Sequence, residues 1–359
     1  MFWIGRSLWM LVVIGLLVSG WGAPVGALPA KSAIKDAATL LRNALPIDSP
    51  EARDLQHSLE GMPRQANLKR WGALHKEVER LQNLVTAQVS LLDDVRPEAQ
   101  GTATALLSEL ATELAPLREA IDQKKRDPIK PLTAQALATV GELEALMVKG
   151  FPYEIPAKYQ HLPQLKGRAI VELTTSQGTV LVTVDGYSAP ITAGQFVDLV
   201  NRGFYDGTTF SRADENYYLQ AGDPPGADIG YVDAAGNLRT IPLEIRLTDN
   251  KPPVYEKPLT DELWGLEAGP SLPFSVYGTL AMARPGNDPN GASSQFFIYL
   301  FESDLTPAGL NLMDGNYAPF GYVTQDDGVL YKLRLGDEIQ RARVVSGLEN
   351  LVLPAPPSA

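Results

Sequence analysis

The hydrophobic pattern of this chain changes period once. From Ser32 to Gly150 apolar residues recur every three or four positions, the spacing of one helical face, and after Lys166 they alternate every second residue, as on half-buried strands. In the first half Leu68, Trp71, Leu74, Val78, Leu81, Val85 and Leu92 form one stripe. Leu106, Leu110, Leu114, Leu117 and Ile121 form another, which opens at Pro97 and which Pro116 is expected to kink. Ser32 is placed to cap a helix that Pro46 ends. Ser49 and Pro50 pair a cap with a proline at the first helical position, and Gly61 is expected to close that short helix. A last helix runs from about Thr133 to Lys149, with Gly150 as its stop. Residues 28–150 therefore predict an antiparallel, mostly up-and-down helical bundle of three long helices and one or two shorter ones.

Residues 151–165 hold three prolines and no steady period, which reads as a linker resting on a surface. Beyond it, RAIVELT and GTVLVTVD predict a strand pair turned by Thr175 to Gly178, followed by a helix from about Thr192 to Asn201 that Gly203 ends. YYLQAG, RTIPLEIR, YGTLAMAR, SSQFFIYL and FGYVTQ predict short strands between Gly/Pro-rich loops. Asp326-Asp327-Gly328 predicts a hairpin turn into VLYKLRL. Many short strands with few helices suggest that residues 166–359 close into a barrel, which removes exposed edges. The chain is thus expected to be multidomain, α then β.

Ahead of both halves, residues 1–27 read as a signal peptide. Arg6 is the positive region, Leu8 to Val18 the apolar one, and Val25-Gly26-Ala27 the small residues before a cut. No twin-arginine pair precedes it, so a Sec-type route is the simpler reading. An uncleaved anchor is the alternative, though Leu8 to Ala23 falls short of the ~20 residues a spanning helix needs.

Charge narrows the partners. Of 31 basic and 42 acidic residues, positions 166–359 carry 13 and 24, and an acidic half without a Lys/Arg cluster argues against nucleic acid. Protein partners fit better. With no cysteine, disulfides and thiolate metal sites are excluded. His57, His75 and His161 are too scattered for a metal site, and Asp288, Asp326 and Asp327 lack the calcium-loop pattern. No cofactor motif appears.

Two segments carry candidate chemistry: FSRADENYYLQAGD, Phe210 to Asp223, and GTLAMARPGNDPNGASSQFFIYL, Gly278 to Leu300. Over residues from about 168 to 353 the chain resembles the cyclophilin family of peptidyl-prolyl isomerases. The resemblance implies an eight-stranded antiparallel barrel closed by helices, with an outer groove for proline-containing segments and no metal or cofactor. It assigns catalysis to Arg212, groove positions to Gln220 and Gln295, the floor of the proline pocket to Phe297, and peptide-binding backbone to the strand of Met282 and Ala283. A guanidinium suits that role, because it stays charged and offers several donors in one plane.

The groove also departs from the family pattern. Ala213-Asp214-Glu215-Asn216 replaces an apolar turn and puts two carboxylates where either would compete for Arg212. Tyr217 and Tyr218 stand where Phe and Met are usual, and Arg284 replaces an asparagine. Leu312 occupies the usual tryptophan position, Met313 the next pocket position, and Tyr317 the place of a histidine; cyclosporin binding is expected to be weak. An insertion from Leu247 to Val276 holds five prolines and Trp264, and either covers the groove or decorates the surface.

Signal, bundle and acidic barrel together resemble the forty-kilodalton thylakoid-lumen cyclophilins of cyanobacteria and chloroplasts. There the bundle is similar to a small extrinsic subunit of photosystem II, and the proteins assist photosystem II assembly. The resemblance implies export to the thylakoid lumen or periplasm and clients with proline-containing segments, photosystem II subunits among them. Peripheral membrane association and the oligomeric state stay open. Two functions follow: an isomerase, or a catalytically weak cyclophilin that serves assembly as a peptide-binding chaperone. In either, the bundle is a dock, a spacer or an inhibitor of the groove.

Overall fold

The computed structural model describes residues 34–214, 217–226, 230–249, 251–259, 268–301, 311 and 313–354. The signal segment 1–27, the cap Ser32, and Glu215, Trp264 and Leu312 lie outside them. Among the described residues six α-helices come first: α1 (Ala37–Ala44), α2 (Pro50–Asn67), α3 (Trp71–Ala87), the single turn α4 (Val89–Leu92), α5 (Gln100–Asp122) and α6 (Ile129–Met147). Asp36 caps α1 by accepting the Thr39 N–H at 2.8 Å. Ser49 caps α2 by accepting the Ala52 N–H at 3.4 Å.

α2 does not stop at Gly61; it continues through Pro63 to Asn67. Leu55, Leu59, Met62 and Ala66 recur at helical spacing and are fully buried, and that packing outweighs the local cost of one glycine and one proline. The bundle therefore has four long helices. The stripe expected to run from Leu68 to Leu92 is shorter: Leu68 sits in the α2–α3 turn, and Gln88 breaks α3 with φ +58°. In α5, Ala103 and Leu107 are buried while Leu106 is half-buried, and the helix continues through Pro116.

α1 departs from its expected place in the bundle. Leu40, Leu41 and Ala44 pack on Leu272, Val276 and Tyr322 of the barrel half. Three arginines donate to the carbonyls at its C-terminal end: Arg168 to Leu41, Arg53 to Arg42 and Leu45, and Arg246 to Ala44, while the Leu45 N–H also closes on Arg42 O. One of these arginines belongs to α2, so α1 is held from both sides.

In the second half α7 (Pro190–Asn201) is accompanied by β1 (Gln164–Leu165), β2 (Arg168–Thr175), β3 (Gly178–Asp185), β4 (Thr208–Thr209), β5 (Arg212–Asp214), β6 (Tyr218–Ala221), β7 (Glu244–Ile245), β8 (Val254–Tyr255), β9 (Thr279–Met282), β10 (Phe296–Tyr299), β11 (Pro319–Gln325), β12 (Glu338–Ser346) and β13 (Leu351–Val352). Nine of them form an antiparallel sheet in the order β4-β12-β2-β3-β11-β9-β10-β6-β5. Its two edge strands are halves of one segment. Between them the Phe210 N–H donates to Asp337 O and the Ser211 N–H to Gln220 O, so the chain leaves β12 and joins β6 within two residues. Counting that segment once, eight strands close a barrel. Phe196 of α7 fills it against Phe296 at 5.2 Å and Phe320 at 5.0 Å.

The turn at Asp327 and Gly328 forms with positive φ, but VLYKLRL does not return as a strand; the chain runs on to β12, which pairs with β2 and β4. Of RTIPLEIR only Glu244–Ile245 is strand, pairing with β8 in the insertion. Residues 163–165 lie against α7 so closely that a Cβ on Gly194 would stand 2.5 Å from Pro163 O. Among the described residues, no helix is long and apolar enough to cross a membrane, and no cluster of metal-ligating side chains occurs.

Candidate active site

Strand register builds the site. Arg212 on β5 lies opposite Gln220 on β6, which lies opposite Phe297 on β10. Residues paired across neighbouring strands share a face, so guanidinium, amide and aromatic ring project together from the outside of the barrel. Their neighbours Leu219, Phe296 and Ile298 point the other way and fill the core. A cleft of about 600 Å³ opens over this row.

Its floor is aromatic in two layers. Phe297, 5% exposed, stacks on fully buried Phe274 with ring centres 6.0 Å apart and planes at 6°. Tyr317 meets the Phe297 edge at 5.3 Å and 87°, and Tyr218 does so at 6.3 Å and 72°. Tyr217 stands edge-on to Tyr218 and Tyr299, and burial raises its phenol above the usual range. Met313 completes the lining. Phe274 comes from the insertion, so that segment builds the cleft from beneath. The loop after β10 grips it: Asp314 accepts the Phe274 N–H at 2.8 Å, and Asn311 Nδ2 donates to Phe274 O at 3.0 Å and to the Tyr299 hydroxyl at 2.6 Å. Burial pushes the Asp314 carboxyl up to about 6 against those bonds.

Along the polar side, Gln220 Nε2 donates to Gln295 Oε1 at 2.6 Å, and Gln295 Nε2 donates to Asp223 at 2.7 Å. This chain fixes both amides. Arg212 is exposed and makes no hydrogen bond or ion pair with any described residue; Asp214, two positions on, leaves it free. On the opposite rim Arg284 lies over the Tyr317 ring at 5.1 Å and donates to Asn316 O at 2.8 Å and Asn316 Oδ1 at 2.7 Å.

The structure thus brings together Arg212, Tyr217, Tyr218, Gln220, Ala283, Gln295, Phe297, Met313 and Tyr317. Met282 is different. Its side chain lies on the inner face, 4% exposed in the barrel core, because the alternation that turns Ala281 outward turns Met282 inward. The Ala283 N–H is committed to Gln295 O at 2.9 Å, which removes that donor from peptide binding. Leu312 lies outside the described residues. Sequence reasoning assigned no role to Phe274, Asn311, Asp314 or Asp223; the first sits in an aperiodic proline-rich stretch, and of the four only Asp223 lies in a segment the sequence singles out. Among the described residues, every one lining the cleft belongs to the barrel half, and none to α1 through α6.

An eight-stranded barrel with an outward arginine beside an aromatic floor is a groove of the cyclophilin type. Comparison with known proteins agrees. Residues 170–348 match the family of cyclophilin-type peptidyl-prolyl cis-trans isomerases, and residues 36–148 match the PsbQ-like domain of CYP38-like peptidyl-prolyl cis-trans isomerases. The chain is 46% identical over 341 residues to a Synechocystis protein described as a thylakoid lumen peptidyl-prolyl cis-trans isomerase, covering 93% of this chain and 90% of that one. It is 38% identical over 335 residues to the chloroplastic isomerase CYP38 of Arabidopsis thaliana, covering 90% and 76%. Against chloroplastic CYP37 of the same plant it is 30% identical, covering 88% and 70%. The chain belongs to the cyclophilin-type peptidyl-prolyl cis-trans isomerases, whose substrates are proline-containing segments.

Proposed function

We propose that the cleft isomerises X-Pro bonds of exported clients with Arg212 as the catalytic residue. The observation that carries this is a guanidinium free of described partners, in one register row with Gln220 and the apolar floor Phe297. A proline ring seats on Phe297 between Met313 and Tyr317. Rotation about the amide faces a barrier of about 18–20 kcal/mol, because the nitrogen lone pair is delocalised into the carbonyl. In the twisted state that pair is localised on nitrogen. A donor from Arg212 binds it there more strongly than in the planar amide, and such differential binding is catalysis. Gln220 and Gln295, locked to each other, orient the peptide backbone.

Residues 1–27 serve export by a Sec-type route, residues 28–150 form the bundle unit, whose α1 reaches across to the barrel, and residues 166–359 form the barrel unit, joined by 151–165. The names of the relatives support the thylakoid lumen as the site of action. The match of residues 36–148 to a PsbQ-like domain supports photosystem II subunits as clients.

NMR exchange between the cis and trans forms of a proline peptide tests the chemistry. The full chain should accelerate exchange, and Arg212→Ala should lower the acceleration by on the order of 10²-fold while the peptide still binds. Equal rates in both proteins sink the role of Arg212. Binding without acceleration by the native chain leaves a peptide-binding chaperone.

A further inference from the structure

Away from the cleft, the antiparallel bundle gathers four helix ends at one tip. The ends of α2 and α5 lie beside the starts of α3 and α6, as the 2.7 Å contact of His75 Nδ1 with Asp122 Oδ1 requires. The opposite end, where Arg53 pairs with Glu144 at 3.4 Å, faces α1 and the barrel. At the tip, residues 64–76 carry four cations and no carboxylate, and residues 122–130 carry four cations against Asp122 and Asp127. That is a net charge of +6 in a chain whose total is −11. Of these eight cations only Arg126 forms an ion pair with a described residue, Asp127 at 3.3 Å.

Helix stability does not account for this charge. Cations suit the ends of α2 and α5, but Arg70, Arg126 and Lys130 flank the starts of α3 and α6, where the dipole favours acids and neither first turn has one. The two turns are also closed in an unusual way. Arg70 N–H reaches back to Gln65 O and Lys125 N–H to Ala120 O, each across a residue in the left-handed region. Glycine is the usual choice there, yet the positions hold Lys69 with φ +56° and Lys124 with φ +53°. Among the cations Leu68 is 54% exposed, and Trp71 is half-buried with its inner side on the bundle core.

We propose that this tip docks on an anionic lipid bilayer. The exposed lysines and arginines meet the headgroups, and Leu68 and Trp71 enter the interface, where an indole with one wet edge is at home. A bilayer fits better than an acidic protein, because the charge is spread over flexible, solvated side chains around an apolar protrusion. The inference rests on the bundle and is independent of the cleft chemistry. Docking there holds the barrel about one helix length, ~25–35 Å, from the lipid surface.

Flotation of the full chain with phosphatidylcholine vesicles, with and without 30% phosphatidylglycerol, tests it in parallel with Lys69→Gly/Lys124→Gly. All samples share the same N-terminal segment, so its contribution cancels between variants. Each cation near the surface is worth about 5-fold in partitioning, so the double variant should bind anionic vesicles ~25-fold more weakly. Its melting temperature should not fall, since glycine relieves both left-handed positions, and its isomerisation rate should match the native chain. Added salt should weaken native binding. Equal partitioning of native and variant chains overturns the proposal. So does native binding that ignores phosphatidylglycerol, and binding to neither vesicle would leave an acidic polypeptide as the partner.

Discussion

Phe274→Ala probes the two-layered floor directly. The side chain is fully buried, stacked under Phe297 at 6.0 Å and edge-on to Tyr299 at 5.3 Å. Its removal forfeits the transfer free energy of a phenyl ring and leaves a cavity, together about 3–5 kcal/mol. Set against a domain stability of about 5–15 kcal/mol, that leaves a protein still folded at 25 °C but with less reserve. Urea denaturation at equilibrium reads this loss as a lower midpoint with unchanged slope. The functional effect is separate. Phe297 loses its support and sinks, so a proline ring meets a deeper, poorer surface, and peptide affinity should fall at least 10-fold. Arg212 and Gln220 are untouched, so exchange within the bound complex should persist. Phe274→Leu, which refills much of the volume, should lie between. A loss below about 1 kcal/mol with affinity within two-fold of native would refute the claim that the insertion supports the floor.

Two further perturbations test the frame. Gly194→Ala reverses the ordinary preference of a helix for alanine, because the new Cβ meets Pro163 O at 2.5 Å and Gln164 Cα at 2.6 Å; thermal melting should show a cost of about 1–3 kcal/mol, and a stabilised variant would contradict the packing. Glu144 is fully buried at the bundle end that faces the barrel, and burial raises its carboxyl from 4.5 to about 7 against the pull of Arg53. The folded chain therefore keeps a proton that the unfolded chain releases above pH ~4.5, so the contribution of this group to stability is fully present below that and is lost, by up to about 3 kcal/mol, as pH rises through 7. Glu144→Gln should flatten this slope relative to the native chain, and parallel pH profiles would sink the assignment.

Much of the cleft was legible because period-two alternation carries register. Once the F-x-R and S-Q-F-F segments are strands, Arg212, Gln220 and Phe297 must share a face wherever the strands pair as they do. The same parity turns the Met282 side chain inward beside outward Ala281, which leaves only the backbone of Met282 to face the groove. Other features have no local signature. The stripe of α1 says that one face is buried and nothing about the partner, which proves to be the barrel half. Phe274 lies in a stretch without period and is placed by Asn311 and Asp314 nearly forty positions away. The basic tip escapes a linear count as well. Residues 31–165 hold 17 basic and 18 acidic residues, close to balance, and only antiparallel packing gathers the cations at one end.

The seam at Phe210 and Ser211 also governs when the barrel closes. Arg212 follows it directly, and the seam exists only once Phe210 has bonded to Asp337, 127 positions later. Loop closure over so long a separation is late and slow compared with the local contacts of the bundle. A chain that lacks β12 thus has Arg212 paired with Gln220 across β5 and β6, but its barrel is open at the seam and the arginine's strand is anchored on one side alone. A fold built this way secures that strand on both sides only when nearly the last strand is in place.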